Sequence, residues 1–255
     1  MIFETHAHYE DEQFNEDREA LLKSLPKKGI DYVVNVSTSL ETAKQCIAFT
    51  EKYDYIYASV GNHPEYASEI DENAIAKIRE WCKLPKVVAI GEIGLDYYWE
   101  PYDEAEQKNA FKMQMELAAE IDMPVIIHSR DAAKDTFDII KEYSTKGVKG
   151  IVHCYGYSLE YAKEFIKMGY KIGVGGVLTF KNARRLVETC HGISLDDIVL
   201  ETDSPYMAPT PNRGKRNSSL NIPYIAEKLA EIKGVSVEEV YERTMKNAKE
   251  IYRIS

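Results

Sequence analysis

The residues best able to do chemistry are histidines and carboxylates that follow short apolar runs. His6 and His8 form a His-x-His pair directly behind the first run. Residues i and i+2 of a strand project to one side, so two imidazoles in that spacing can grip one cation. Glu92 follows the run 87–90, His128 the run 125–127 and His153 the run 150–152, while Asp203 closes Glu201-Thr202-Asp203 behind the run 198–200. His63 lies in Gly61-Asn62-His63-Pro64, just past the run 56–60. Five of the six histidines thus sit close behind an apolar run, which is more than a scatter of structural residues would give. Taken singly, each is explained as well by a hydrogen bond or an ion pair. Gathered at one place, they would carry a large desolvation cost that bound divalent cations relieve. His191 is the contrast: Thr189-Cys190-His191-Gly192 reads as a last helical turn before a glycine cap, where a histidine interacts favourably with the dipole and needs no function.

The elements that must position these groups are short and β-branched. Eight apolar runs, at 1–3, 32–34, 56–60, 87–90, 125–127, 150–152, 171–174 and 198–200, read as strands buried on both faces. Between them lie helical patterns. Phe111, Met115 and Ala118 recur at i, i+4 and i+7 among polar residues. Ser236-Val237-Glu238-Glu239 has the form of a capping box, and Val240, Thr244, Ala248 and Ile251 line one face of a final helix. Strand and helix alternating eight times predict an α/β fold, a single-domain (β/α)8 TIM barrel over residues 1–255. An open doubly wound sheet is the competing architecture, but no GxGxxG follows the first run. In a barrel the chemistry sits at the C-terminal ends of the strands, where all of these residues fall.

Composition bounds the partners. A chain of 255 residues with 44% hydrophobic content can bury one large core. No stretch approaches the roughly 20 continuous apolar residues of a membrane span, so no membrane association is expected. The opening residues lack a basic segment and an apolar segment of the secretory kind, and Cys46, Cys82, Cys154 and Cys190 lie far apart without CxxC spacing. A cytoplasmic location with reduced thiols is expected. The net charge of -10 argues against a passive nucleic-acid binder with a broad basic face, yet not against an enzyme whose metal ions supply positive charge locally. Nothing in the sequence calls for an obligate protein partner.

Glu4-Thr5-His6-Ala7-His8, Gly91-Glu92-Ile93-Gly94-Leu95-Asp96-Tyr97, Pro124-Val125-Ile126-Ile127-His128-Ser129-Arg130-Asp131-Ala132, His153-Cys154 and Leu200-Glu201-Thr202-Asp203-Ser204-Pro205-Tyr206 together resemble the TatD-type deoxyribonucleases, which belong to the amidohydrolase-like metallohydrolases. The resemblance implies two divalent metal ions (Mg, Mn or Zn). His6 and His8 would hold one, His128 and His153 the other, and Glu92 would bridge them. Asp203 would ligate the first and take the proton from the attacking water. His63 and Arg130 would lie near the substrate phosphate, and Arg213 with Lys215 and Arg216 would form a basic loop beside them. The implied activity is hydrolysis of DNA phosphodiesters, as an exonuclease preferring single-stranded or frayed ends, since such an end reaches a recessed barrel mouth more easily than a duplex.

The chain departs from the family pattern at Glu4, where Asp is usual, at Glu65 after Pro64, at Tyr155-Gly156-Tyr157-Ser158, and at Ser218-Ser219. None removes an expected ligand, but all alter the rim. Tyr97, Tyr98 and Trp99 could stack on unpaired bases or simply pack. Two other functions stay open on the sequence. One is hydrolysis of an ester such as a D-aminoacyl-tRNA linkage, because the same activated water would attack it. Lactonase or phosphotriesterase chemistry is disfavoured, since strand 5 offers His128 and no lysine to bridge metals. The other is a non-catalytic metal-binding protein, which the presence of Asp203 argues against.

Overall fold

The computed structural model describes all residues, 1–255. Eight strands, β1 (Ile2–Ala7), β2 (Ile30–Val36), β3 (Ile56–Val60), β4 (Val87–Asp96), β5 (Val125–Arg130), β6 (Gly150–Val152), β7 (Lys171–Val174) and β8 (Ile198–Leu200), lie in sequential order, each parallel to the next. Helices α1 (Arg18–Ser24), α2 (Leu40–Lys52), α3 (Glu72–Trp81), α4 (Glu104–Ile121), α5 (Ala133–Ser144), α6 (Leu159–Lys167) and α7 (Arg184–Gly192) each follow one strand, and α8 (Ile222–Lys233) and α9 (Val237–Tyr252) follow β8. The sheet closes where the Asp203 N–H donates to the His6 carbonyl (2.9 Å) and the His8 N–H to the Ser204 carbonyl (2.8 Å). The (β/α)8 barrel expected from the alternation is therefore the fold. No helix is long and apolar enough to cross a membrane.

The strands are buried on both faces, as their unbroken apolar runs demand. Phe3, Val34, Val88, Ile126, Ile151 and Val199 join one buried cluster with Met245, Ala248, Ile251, Tyr252 and Ile254 from α9 and its end. A larger cluster joins the remaining strand positions to the surrounding helices, including Phe111, Met115 and Ala118 of α4. Val240, Thr244, Ala248 and Ile251 of α9 are all buried, as their spacing predicts.

Three local expectations need correction. β1, β4 and β5 run on past their apolar runs, because Ile93, Gly94, Leu95 and Asp96 pair with Ile127, His128, Ser129 and Arg130. Backbone pairing there outweighs the loss of apolar pattern. The Ser236 Oγ caps α9 by accepting from the Glu239 N–H (3.1 Å), but the Glu239 carboxylate turns toward Arg243 (3.8 Å) instead of back to the cap. The reciprocal capping box occurs at Ser39 and Thr42, at the start of α2. Gly192 is not a cap either: α7 runs through it and ends at Ile193 in an extended conformation (φ -112°), leaving His191 exposed in the last turn. The four cysteines are free thiols.

Candidate metal centre

Two of the strands that carry candidate ligands, β1 and β4, are irregular. Pairing between β1 and β2 shifts register between Glu4 and Ala7, and pairing of β4 with β5 shifts between Ile90 and Ile93. Such bulges re-aim side chains, and here they flank His6 and Glu92. Gly94 makes the second shift possible. Its φ is +148°, and a Cβ there would collide with the His128 carbonyl. Behind β8, Asp203 adopts a left-handed conformation (φ +56°) that Asp tolerates better than most residues. Its N–H is tied to His6, and its carbonyl accepts from the Tyr206 N–H (2.8 Å), which fixes the aim of its carboxylate.

Four imidazoles surround the Glu92 carboxylate. Oε1 lies 2.7 Å from His153 Nε2 and 2.8 Å from His128 Nδ1. Oε2 lies 3.4 Å from His6 Nε2 and 3.7 Å from His8 Nε2. Asp203 Oδ1 completes the second group, 3.4 Å from His8 Nε2 and 3.7 Å from His6 Nε2. The two nitrogens of the His-x-His pair are only 3.0 Å apart, and His128 Nδ1 is 3.3 Å from His153 Nε2. All six residues expected to ligand metal thus converge.

Two partners fix which nitrogens face inward. His8 Nδ1 is 2.8 Å from the Val36 carbonyl, which can only accept, so His8 carries a proton on Nδ1 and turns Nε2 toward His6. His128 Nε2 is 2.9 Å from Asp96 Oδ2, leaving its Nδ1 for Glu92. Burial alone would raise the Glu92 carboxyl, but His153 and His6 outweigh it and hold the group well below its ordinary range. Burial likewise opposes ionisation of Asp203, yet His8, His153 and His6 keep it ionised. His6 goes the other way: burial and the neighbouring His153 lower it to about 4. Although burial opposes it, Asp203 and Glu10 raise His8, Asp96 and Glu92 raise His128, and Glu92 raises His153, so protons on these imidazoles balance the carboxylates where bound cations would otherwise do so. Ligands on a sphere of about 2.1 Å radius stand roughly 3.0–3.4 Å apart, close to the separations seen here, so the donor set fits divalent cations.

The outer residues are less uniform. His63 lies at the rim with its ring 4.3 Å from that of His128, and its Nδ1 accepts from the Glu65 N–H (3.2 Å), so its proton is on Nε2. Burial and His128 lower it to about 3. Arg130 stacks on Tyr98 (3.6 Å to the ring centre) and lies 5.4 Å from Trp99. Those two rings are 50% and 66% exposed, whereas Tyr97 packs on Tyr102 and donates to Asp135, a structural use. Arg213 stacks on Phe180 (4.0 Å) and forms no ion pair. Arg216 is committed to both carboxylate oxygens of Asp17 (2.7 and 2.6 Å), so the basic loop is smaller than its sequence suggests. Glu4, where the family pattern has Asp, accepts from the His6 N–H, the Thr202 N–H and the Thr202 hydroxyl. The longer side chain is fully used in holding β1 to the end of β8.

Sequence reasoning assigned no role to Asp96, Glu10 or Glu201, which stand behind the imidazoles. Asp96 orients His128, and Glu10 lies 3.4 Å from His8 Nδ1 while accepting from Asn35. Only Asp96 carried a readable signal: it lies four residues beyond Glu92 on one strand, hence on the same face.

A (β/α)8 barrel with this His, Glu and Asp cluster at its C-terminal mouth defines a metal-dependent hydrolase. A family described as TatD related DNase matches residues 3–253, and the chain belongs to that family. It is 40% identical over 255 residues to the uncharacterized metal-dependent hydrolase YabD of Bacillus subtilis, spanning all of both chains. It is 31% identical to the uncharacterized metal-dependent hydrolase YcfH of Escherichia coli, over all of this chain and 96% of that protein. The crystal structure of YjjV, a TatD homologue from Escherichia coli, matches with a TM-score of 0.93 at 27% identity, covering 100% of this chain and 98% of that one.

Proposed function

We propose that the protein is a two-metal deoxyribonuclease that trims single-stranded or frayed DNA ends. The observation that carries the reading is Glu92, a buried carboxylate with imidazole nitrogens 2.7 and 2.8 Å from one oxygen and 3.4 and 3.7 Å from the other. His6, His8, Glu92 and Asp203 would hold one ion, and Glu92, His128 and His153 the second. When bound, such cations polarise a phosphoryl oxygen and lower the pKa of an attacking water.

The chain supplies the rest. Asp203, ionised and reaching the mouth with 18% of its side chain exposed, receives the proton of that water. Glu92 holds the two ligand groups at a fixed separation. His63 presents an Nε2 proton to a phosphate oxygen, and Arg130 adds a guanidinium beside it. Tyr98 and Trp99 offer exposed rings on which unpaired bases can stack, and Arg213 meets the backbone further out.

The test is to incubate 3′-labelled single-stranded DNA with metal-loaded protein, with an EDTA control and the Asp203→Ala variant. We expect metal-dependent shortening, abolished by EDTA and reduced at least about 10³-fold in the variant. Intact DNA in the presence of Mg, Mn and Zn, with ions demonstrably bound, overturns the nuclease assignment while leaving the metal centre. An ester substrate such as D-aminoacyl-tRNA would then be assayed next.

A further inference from the structure

Only six buried side-chain nitrogen or oxygen atoms in the chain lack a hydrogen-bond partner, and three of them are His6 Nδ1, His153 Nδ1 and Glu201 Oε2. These three residues also form a cluster in which one donor atom from each lies within 4.8 Å of the others. The His6 and His153 rings are stacked, with centres 4.0 Å apart and planes at 13°. Their Nε2 atoms face Glu92, each near a different oxygen of its carboxylate. Glu201 is completely buried, its Oε1 accepting from the Cys154 N–H (2.5 Å) and standing 3.8 Å from His153 Nδ1.

Space for this carboxylate is built into β7. A Cβ on Gly173 would collide with Glu201 Oε2, so only glycine at that position lets the carboxylate lie there. His153 Nδ1 stands too far from Glu201 Oε1 for a direct hydrogen bond, and the cluster is compact enough for one bridging molecule. Two bonds of about 2.8 Å from a tetrahedral oxygen span roughly 4.6 Å. A buried water needs two to four polar partners, and this cluster supplies three.

We propose that Glu201 is a positioning residue shared by both metal ions: through one buried water, which accepts from the Nδ1–H groups of His6 and His153 and donates to the Glu201 carboxylate, it keeps each proton on Nδ1 and each Nε2 free for its ion. The inference rests on the two-metal reading above. The ion pair is coupled through this carboxylate, because one ligand of each ion depends on it. Asp96, in contrast, orients His128 alone. Carboxylates behind ligating histidines commonly govern metal affinity by 10- to 100-fold.

Calorimetric titration of Zn2+ into the metal-free protein, the Glu201→Gln variant and the Asp96→Asn variant separates the possibilities. We expect two ions bound by the unaltered protein, both about 10- to 100-fold weaker in Glu201→Gln, and only one weaker in Asp96→Asn. The thermal midpoint of metal-free Glu201→Gln should stay close to that of the unaltered protein. Nitrogen NMR of the zinc-loaded unaltered protein, with labelled histidine, should show protonated Nδ1 and metal-bound Nε2 at both His6 and His153. Zinc on Nδ1 of either residue overturns the proposal, even if Glu201→Gln does not fold. Full affinity at both sites in Glu201→Gln also overturns it. If the unaltered protein binds no ion at all, the metal centre itself fails, a result visible without any variant.

Discussion

Each imidazole around Glu92 has a second nitrogen, and the partner of that nitrogen decides which way the free lone pair points. For His8 the partner is a main-chain carbonyl, which no side-chain substitution removes. For His128 it is Asp96, whose other oxygen accepts from the Tyr98 N–H (2.9 Å). Asp96→Asn keeps the volume but replaces one acceptor by a donor, so the amide cannot serve both partners unchanged. The expected result is about a 10- to 100-fold loss of affinity for the ion beside His128, read by calorimetry, with the ion beside His8 unaffected. Unchanged affinity would mean that packing of β5 alone orients the ring. The convergence of the six inward-facing residues was legible because residue type and strand-end position coincide in a barrel. The groups behind them, Asp96 excepted, were not, since a carboxylate that supports an imidazole looks in sequence like any other acid.

At the scale of elements, alternation and apolar runs disclosed the strands, but not their ends. β4 reads as four residues because Gly91-Glu92-Ile93-Gly94 breaks the apolar pattern, whereas the backbone continues to pair with β5 as far as Asp96. Pairing across strands is information that no single segment carries. Contacts between helix ends are equally invisible. Arg253, just past α9, donates to both carboxylate oxygens of Asp122 (2.9 and 3.0 Å) at the end of α4, and each residue ends its helix in a left-handed conformation. The guanidinium holds the Asp122 carboxyl below its ordinary value of 3.8. A depressed carboxyl contributes stability that is fully present above its unfolded value and disappears as pH falls through the folded one. Arg253→Gln should therefore cost at most about 1 kcal/mol near pH 7, both side chains being largely exposed. Urea titrations at successive pH values should show the difference shrinking below pH 4. A difference that persists undiminished in acid would assign the loss to packing or to the hydrogen bond that Arg253 also donates to the Asp122 carbonyl (2.8 Å).

The whole molecule is acidic, with a net charge of -10, and on the proposed function that limits how it would hold DNA. Non-specific binders neutralise many phosphates with lysine and arginine and lose affinity steeply with salt. Here the cations free to meet a strand near the mouth are few: Arg216 is spent on Asp17, leaving Arg130 on its aromatic pair, Arg213 on Phe180 and the exposed Lys215 beside it. On the proposed function, bound metal ions would engage the phosphate at the reaction centre, and the acidic balance of the rest of the surface would disfavour long contacts with the strand. Affinity for single-stranded DNA should therefore depend only weakly on ionic strength. With two or three phosphates neutralised, log affinity against log salt should slope about -1.4 to -2. Anisotropy of a fluorescent phosphorothioate oligonucleotide, which resists cleavage, can measure this on metal-loaded protein between roughly 50 and 200 mM salt. Arg130→Ala and Arg213→Ala should each flatten the slope by about 0.7 if each meets one phosphate. A slope steeper than about -4 would demand a broad basic face, and the picture of a strand held mainly by its end would have to be abandoned.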